Sequence, residues 1–288
     1  MFEPFQFEFF RHGLLVATLA GALCGLVGVY VTLRGMSYIG HGLSHAIFGG
    51  AAASAAVSFN FYLGAGLWGV ASALLIGRVS RRRIIGADAA IGVITTASFA
   101  LGLALVNRFG QVRQSVDAAL FGSILGVSMT DVWVVAGVTA LAAAVVFFGY
   151  RALLFTTFDP EVAEASGVRT GRVDAVLMLL LAVSILATMK VLGVVLIAAS
   201  LVIPAVVARM LTDRFARMLW LSVLIGGACG FVGMNLSYHL DASSGATIVL
   251  VGGILFGVVF AVTGERGLRR TASLASRSHP EAAVPTAG

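Results

Sequence analysis

Charge is scarce in this sequence. Only 11% of its 288 residues are charged, against about 25% in soluble globular domains, so the chain cannot present an ordinary wet surface. Lysine is almost missing: Lys190 stands alone among 19 basic residues, the rest being arginine. Cysteine is limited to Cys24 and Cys229, both inside apolar stretches and without metal-motif spacing, which implies no disulfide. The first ten residues contain Glu3 and Glu8 but no basic residue, unlike the positive start of a secretory signal, so the N-terminus reads as mature. No glycine-rich loop ends in Lys-Ser or Lys-Thr, since Lys190 is followed by Val191. With no P-loop, any ATP would have to be bound by another subunit. No stretch reads as a soluble domain.

Hydrophobic residues make up 59% of the chain, and its mean hydropathy is +1.00. They fall into long runs bounded by arginine clusters, and a helix needs roughly 20 apolar residues to cross a bilayer. The runs predict an all-α, polytopic membrane protein with nine spans. These lie near Gly13–Leu33, Ile39–Phe59, Tyr62–Val79, Ala87–Val106, Asp131–Tyr150, Val173–Met189, Val191–Met210, Met218–Ser237 and Ala246–Thr263. Asp117–Val127 is apolar but too short to cross, and reads as an interfacial or re-entrant helix. With the N-terminus outside, 15 of the 19 basic residues lie on the cytoplasmic side and four outside. That bias predicts a cytoplasmic C-terminus. A formal charge of +6 is thereby explained by loops against a membrane, and no nucleic-acid partner is expected. Residues 1–270 read as one transmembrane domain, and 271–288, rich in Ser, Ala and Pro, as a disordered cytoplasmic tail.

The stretch Gly40-His41-Gly42-Leu43-Ser44-His45 opens the second span. On a helix His41 and His45 form an i, i+4 pair on one face. Two neutral imidazoles so placed can share a borderline metal such as Zn²⁺; two interior histidines bonded to backbone carbonyls would give the same pattern. The zinc-protease motif is excluded, because it needs Glu directly after the first His and Gly42 stands there. In Phe158–Val168, Asp159 can cap a short helix whose first residue is Pro160, with Glu161, Ala163 and Glu164 within it and Gly167 past its end. Such a helix is either a solvated connector or a piece stabilised by a partner surface. Pro204, in Leu192–Ala205, is expected to kink or break its span. Ser44 and Pro204 are candidate pore residues. His239 and Asp241, by a predicted outer loop, could meet an incoming ion. Asp88, Asp131 and Asp174 sit near span ends and read as interface or cap residues. A gradient-driven secondary transporter would need carboxylates within the spans, and almost none are there.

Four segments together resemble the zinc and manganese permeases of ATP-binding-cassette importers, the ABC-3 family. They are Arg34–Gly40 leading into the histidine pair, Phe158–Val168, Leu192–Ala205 and Leu236–Gly253. The resemblance runs from about Leu14 to Thr263. It implies a multi-pass permease of the bacterial inner (plasma) membrane that is not itself an enzyme. It further implies a dimer of permease chains, two cytoplasmic ATPase subunits and an external metal-binding protein. Asp159–Ala165 then matches the family's coupling helix. The family's metal motif usually reads Gly-Asp-Ala-Leu-Ser-His; here His41 and Gly42 take its second and third places, and His45 keeps the last. An imidazole in place of a carboxylate leads to the expectation of Zn²⁺ as transported substrate, with manganese or iron as alternatives.

Overall fold

The computed structural model describes residues 6–56, 59–80, 87–109, 120–123 and 126–277. Among them the regular structure is entirely helical. The helices are α1 (Glu8–Leu33), α2 (Ser37–Ala56), α3 (Phe61–Ser80), α4 (Ala87–Phe109), α5 (Met129–Phe148), α6 (Tyr150–Phe158), α7 (Pro160–Ala165), α8 (Thr170–Leu192), α9 (Ile197–Leu211), α10 (Phe215–Leu240) and α11 (Ser244–Arg277). Within α1, α3, α5, α8, α10 and α11, six segments are long and apolar enough to cross a membrane. The other three expected spans coincide with α2, α4 and α9, of which the apolar parts of α4 and α9 are shorter. Arg81–Arg83, Arg113, part of the expected 117–127 helix and the tail from 278 lie outside the described residues, and α11 runs on past residue 270 through Arg277.

Helix α1 is the axle of the bundle. Sixteen of its residues are buried, from Phe10 to Val31, because α8, α9 and α10 wrap it. In lipid no hydrophobic gain drives helices together, so close packing must do so. Here the small residues of α1 and α10 let the two backbones touch. A β-carbon on Gly21 would lie 2.1 Å from the Gly226 carbonyl oxygen, and one on Gly25 2.2 Å from that of Ser222. The Ser222 hydroxyl donates to the Gly25 carbonyl at 2.7 Å, adding an interhelical hydrogen bond.

A second group forms where α2 packs between α3 and α4. Gly49 lies against the Ser98 backbone of α4, and Gly50 against the Trp68 side chain of α3. One layer thus carries α2 on the flank of the α1 core, with α8 and α9 touching both groups.

The chain breaks between α8 and α9 at Gly193, whose φ of 73° suits glycine. The sequence placed this boundary at Lys190 and expected Pro204 to disturb the following span. The observed break is three residues later, and α9 continues unbroken through Pro204. Loss of one backbone bond is tolerated in a tightly packed membrane helix. Polar backbone exposed at the break is satisfied locally. Ser123 N–H donates to Lys190 O at 3.0 Å and Val195 N–H to Leu120 O at 3.2 Å, while Ser244 Oγ donates to Val191 O at 2.9 Å. The short 120–123 segment therefore plugs the gap between α8 and α9.

Candidate functional site

Two imidazoles project from one face of α2. The ring centroids of His41 and His45 are 4.7 Å apart and meet edge-on, as expected for side chains one helical turn apart. His41 is exposed and His45 half-buried. The His45 ring rests edge-on against Phe99 of α4, centroids 5.1 Å apart, and Phe99 in turn leans on Phe48. Phe99 therefore fixes the His45 ring plane. His45 Nδ1 is buried without a hydrogen-bond partner. A buried polar nitrogen left so costs stability.

The pair opens into a cleft of about 620 Å³ between α2 and α4, lined among others by Tyr38, His41, His45, Ile91, Thr95 and Phe99. Gly42 sets its width: a β-carbon there would come within 2.6 Å of the Thr95 methyl and 2.7 Å of Ile91. The sequence singled out the histidines, but Thr95 and Phe99 carry no sequence signal, because only the α2–α4 packing brings them there. Among the described residues no cluster of three or more His, Cys, Asp or Glu side chains could hold a metal. One chain thus presents two nitrogen donors.

The remaining candidates are spread through the fold. Ser44 is fully buried and donates to the His41 carbonyl at 2.8 Å, so it stiffens the turn under the pair and does not line the cleft. Pro204 is buried in α9, beside Gly21 and Gly226 rather than the histidines. His239 and Asp241 are exposed at the end of α10, where Asp241 takes a left-handed conformation and caps the helix. Neither lines the cleft.

The short α7 forms as its sequence dictates. The Asp159 carboxylate accepts from Val162 N–H at 2.9 Å, and Pro160 opens the first turn. Gly167, at φ 81°, ends it: its N–H donates to Glu164 O and Val168 N–H to Ala163 O, a Schellman closure. Ala163 is buried, whereas Glu161 and Glu164 are exposed. The Glu164 carboxylate accepts from Thr170 Oγ1, which ties α7 to the start of α8.

Two polar clusters stand at the helix ends. In one, the Arg34 guanidinium at the end of α1 pairs with Asp174 of α8 at 2.6 Å and donates to Thr157 of α6 at 3.1 Å. In the other, Asp131 of α5, only 6% exposed, accepts from Tyr62 Oη at 2.6 Å and Lys190 Nζ at 2.7 Å. Asp131 also closes a capping box with Ser128, in keeping with its reading as a cap. The partners of Arg34 and Lys190 were not legible in the sequence, since 140 and 59 residues separate the pairs.

Relatives of known kind share this architecture. The chain is 36% identical over 263 residues to the manganese transport system membrane protein MntC of Halalkalibacterium halodurans, covering 91% of this chain and 90% of that one. It is 33% identical over 261 residues to a Haemophilus influenzae protein named for iron transport, covering 91% and 96%. Among solved structures, PsaBC from Streptococcus pneumoniae in complex with Fab superposes with a TM-score of 0.79 at 32% identity, covering 88% and 91%. With the pattern of the ABC 3 transport family also matching residues 6–263, nearly end to end through both helix groups, the chain belongs to that family.

Proposed function

We propose that this chain is the membrane-spanning subunit of an ATP-driven importer of a divalent transition-metal ion. The observation that carries this reading is the His41–His45 pair, facing a cleft with one ring nitrogen buried and unsatisfied. Ionisable side chains in membrane segments generally mark a transport path. Two donors are too few for the four-coordinate geometry zinc prefers. A second copy related by two-fold symmetry would bring an equal pair to the axis. The ion is substrate, held in passing.

The layout has nine spans, with the N-terminus outside and the C-terminus in the cytoplasm, in a bacterial inner membrane. The polar clusters support it. The layout assigns Arg34, Thr157 and Asp174 to the inner side, and they meet at one point; it assigns Tyr62, Asp131 and Lys190 to the outer side, and they meet at another. Residues 1–270 act as one permease domain with a cytoplasmic tail. ATP is hydrolysed by separate subunits docking on α7, whose Glu161, Glu164 and neighbours are exposed on a helix too short to stand alone. An external binding protein delivers the ion.

Zinc is the substrate favoured by the donor chemistry, because paired imidazoles suit Zn²⁺ better than the oxygen-seeking Mn²⁺. Manganese or iron is the second reading, favoured by the names of the relatives. Uptake of ⁶⁵Zn, ⁵⁴Mn and ⁵⁵Fe by cells carrying the intact transporter decides between them. His41→Ala with His45→Ala abolishes uptake of the true substrate. Unchanged uptake in the double variant would falsify the site.

A further inference from the structure

The docking helix and the metal-bearing helix are not neighbours, so force must pass between them through something. Helix α7 is held at both ends by segments that converge on the last turn of α1. On its N-terminal side, α6 supplies Thr157, which accepts a hydrogen bond from Arg34 Nε. On its C-terminal side, α8 supplies Asp174, paired with Arg34 Nη1. One guanidinium thus grips both flanks of α7. Its side chain is only 9% exposed, against 32% for Asp174, so the pair is screened less than a surface ion pair.

An aromatic clasp runs in parallel. Phe158, the residue before the α7 cap, and Tyr150 at the start of α6 both pack on Phe215, at 6.0 and 5.8 Å between centroids. Phe215 packs on Tyr30 of α1 at 5.7 Å. Polar and apolar contacts therefore bind the same docking segment to the same helix end.

From there the path is covalent and short. Arg34 is followed by Gly35 at φ 65°, and Met36 N–H donates back to Val31 O at 2.8 Å. That is a tight turn, with α2 starting at Ser37 and His41 in its second turn. Beside it lies a cavity of about 410 Å³ between the start of α2, α3 and α8, lined by Met36, Ile39, Leu74, Gly77, Ala175 and Arg34 itself. The start of α2 has room to shift on that side. Arg34 Nη2 is buried without a partner, so both of its N–H donors are unused in this arrangement.

Resting on the importer reading above, we infer that Arg34 is the positioning residue that transmits motion of the ATPase-docking segment to the metal-bearing helix. It touches neither ATP nor metal. A rigid two-sided grip on α6 and α8 moves the α1–α2 turn whenever α7 is displaced, and the histidines move with it.

The test uses the complete transporter, with its ATPase subunits, in liposomes, and reads metal ions imported per ATP hydrolysed alongside equilibrium Zn²⁺ and Mn²⁺ binding. Arg34→Gln should leave metal binding and ATP hydrolysis within about twofold of wild type while lowering the import ratio by about tenfold, within the usual span of coupling between distant sites. Arg34→Lys keeps a charge for Asp174 but not the planar fork, and should recover part of the ratio. Thr157→Val spares the ion pair and, besides a bond within its own helix to Leu153 O, removes only the one accepted from Arg34. It should lower the ratio about threefold, the loss of roughly one linking hydrogen bond. A wild-type ratio in both Arg34→Gln and Thr157→Val overturns the inference. So does loss of metal binding in step with the ratio, which would reveal a structural defect. A wild-type transporter that imports none of Zn²⁺, Mn²⁺ and Fe²⁺ refutes the functional reading itself, and this inference with it.

Discussion

Gly21 of α1 and Gly226 of α10 are reciprocal: a β-carbon on either would sit 2.1 Å from the carbonyl oxygen of the other. Backbone meets backbone there, so no side chain can move aside. Gly21→Leu and Gly226→Val must force the two helices apart. Overpacking of a tight interior typically costs about 1–3 kcal/mol. Both should lower the melting temperature of the detergent-solubilised protein, whereas Gly253→Ala, with open space around it, should not.

The Tyr62–Asp131–Lys190 cluster predicts an asymmetric response. Lys190→Met leaves the Asp131 carboxylate without its cation. Because the Lys190 side chain is 37% exposed and Asp131 keeps its bonds from Tyr62 and Ser128, the cost should be about 1.5–3 kcal/mol, that of losing a hydrogen bond to a charged group. Tyr62→Phe removes one hydrogen bond and should cost only about 1 kcal/mol. The double variant Asp131→Asn with Lys190→Met should be less unstable than Lys190→Met alone. Thermal unfolding of the three proteins checks the order; equal stability of Lys190→Met and wild type would show that the pair contributes nothing.

The histidine pair predicts a change of selectivity. His41→Asp restores the carboxylate usual in the family's motif and hardens the donor set. The ratio of Mn²⁺ to Zn²⁺ uptake should rise by about tenfold or more, following ligand preference. Competition between the two ions in whole-cell uptake measures it directly. A ratio unmoved by the substitution would mean that residue 41 does not touch the ion.

Acid should slow transport. Only neutral imidazole offers the lone pair a metal needs, so the affinity contributed by the pair is present at neutral pH and lost as protons bind. Zinc uptake by wild type should fall as the medium is acidified, and the fall should be shallower in His41→Asp. Uptake indifferent to acid contradicts histidine ligation.

Helix α7 depends on its cap. Asp159→Ala removes the bond to Val162 N–H, worth about 1 kcal/mol, from a helix only six residues long. Co-purification of the ATPase subunits should weaken while the stability of the permease itself changes little. Gly167→Val, which forces a branched residue to positive φ, should act in the same direction.

The expected apolar runs fall on helices, six of them with segments long and apolar enough to cross a membrane, because hydrophobic length is local information. So were the caps: Asp159, Pro160 and Gly167 fix α7 through bonds spanning only a few residues. The i, i+4 geometry of His41 and His45 follows from helix pitch alone, and the structure reproduces it. Sequence went astray between α8 and α9, where Lys190 is a visible charge but the break is at Gly193. Its site is set by a neighbouring loop: a β-carbon on Gly193 would strike the 120–122 backbone.

What the chain determined by itself is therefore its helices, their greasy lengths and the spacing of chemistry along each one, since those depend on residues within a turn or two. Tertiary structure alone decided which faces meet: that Phe99 backs His45, that Lys190 finds Asp131, and that Arg34 closes on Asp174 across 140 residues. In a bundle whose apolar surfaces are nearly uniform, polarity does not choose partners. The few glycine contacts that allow backbones to touch, and the few buried charges that must be paired, do so.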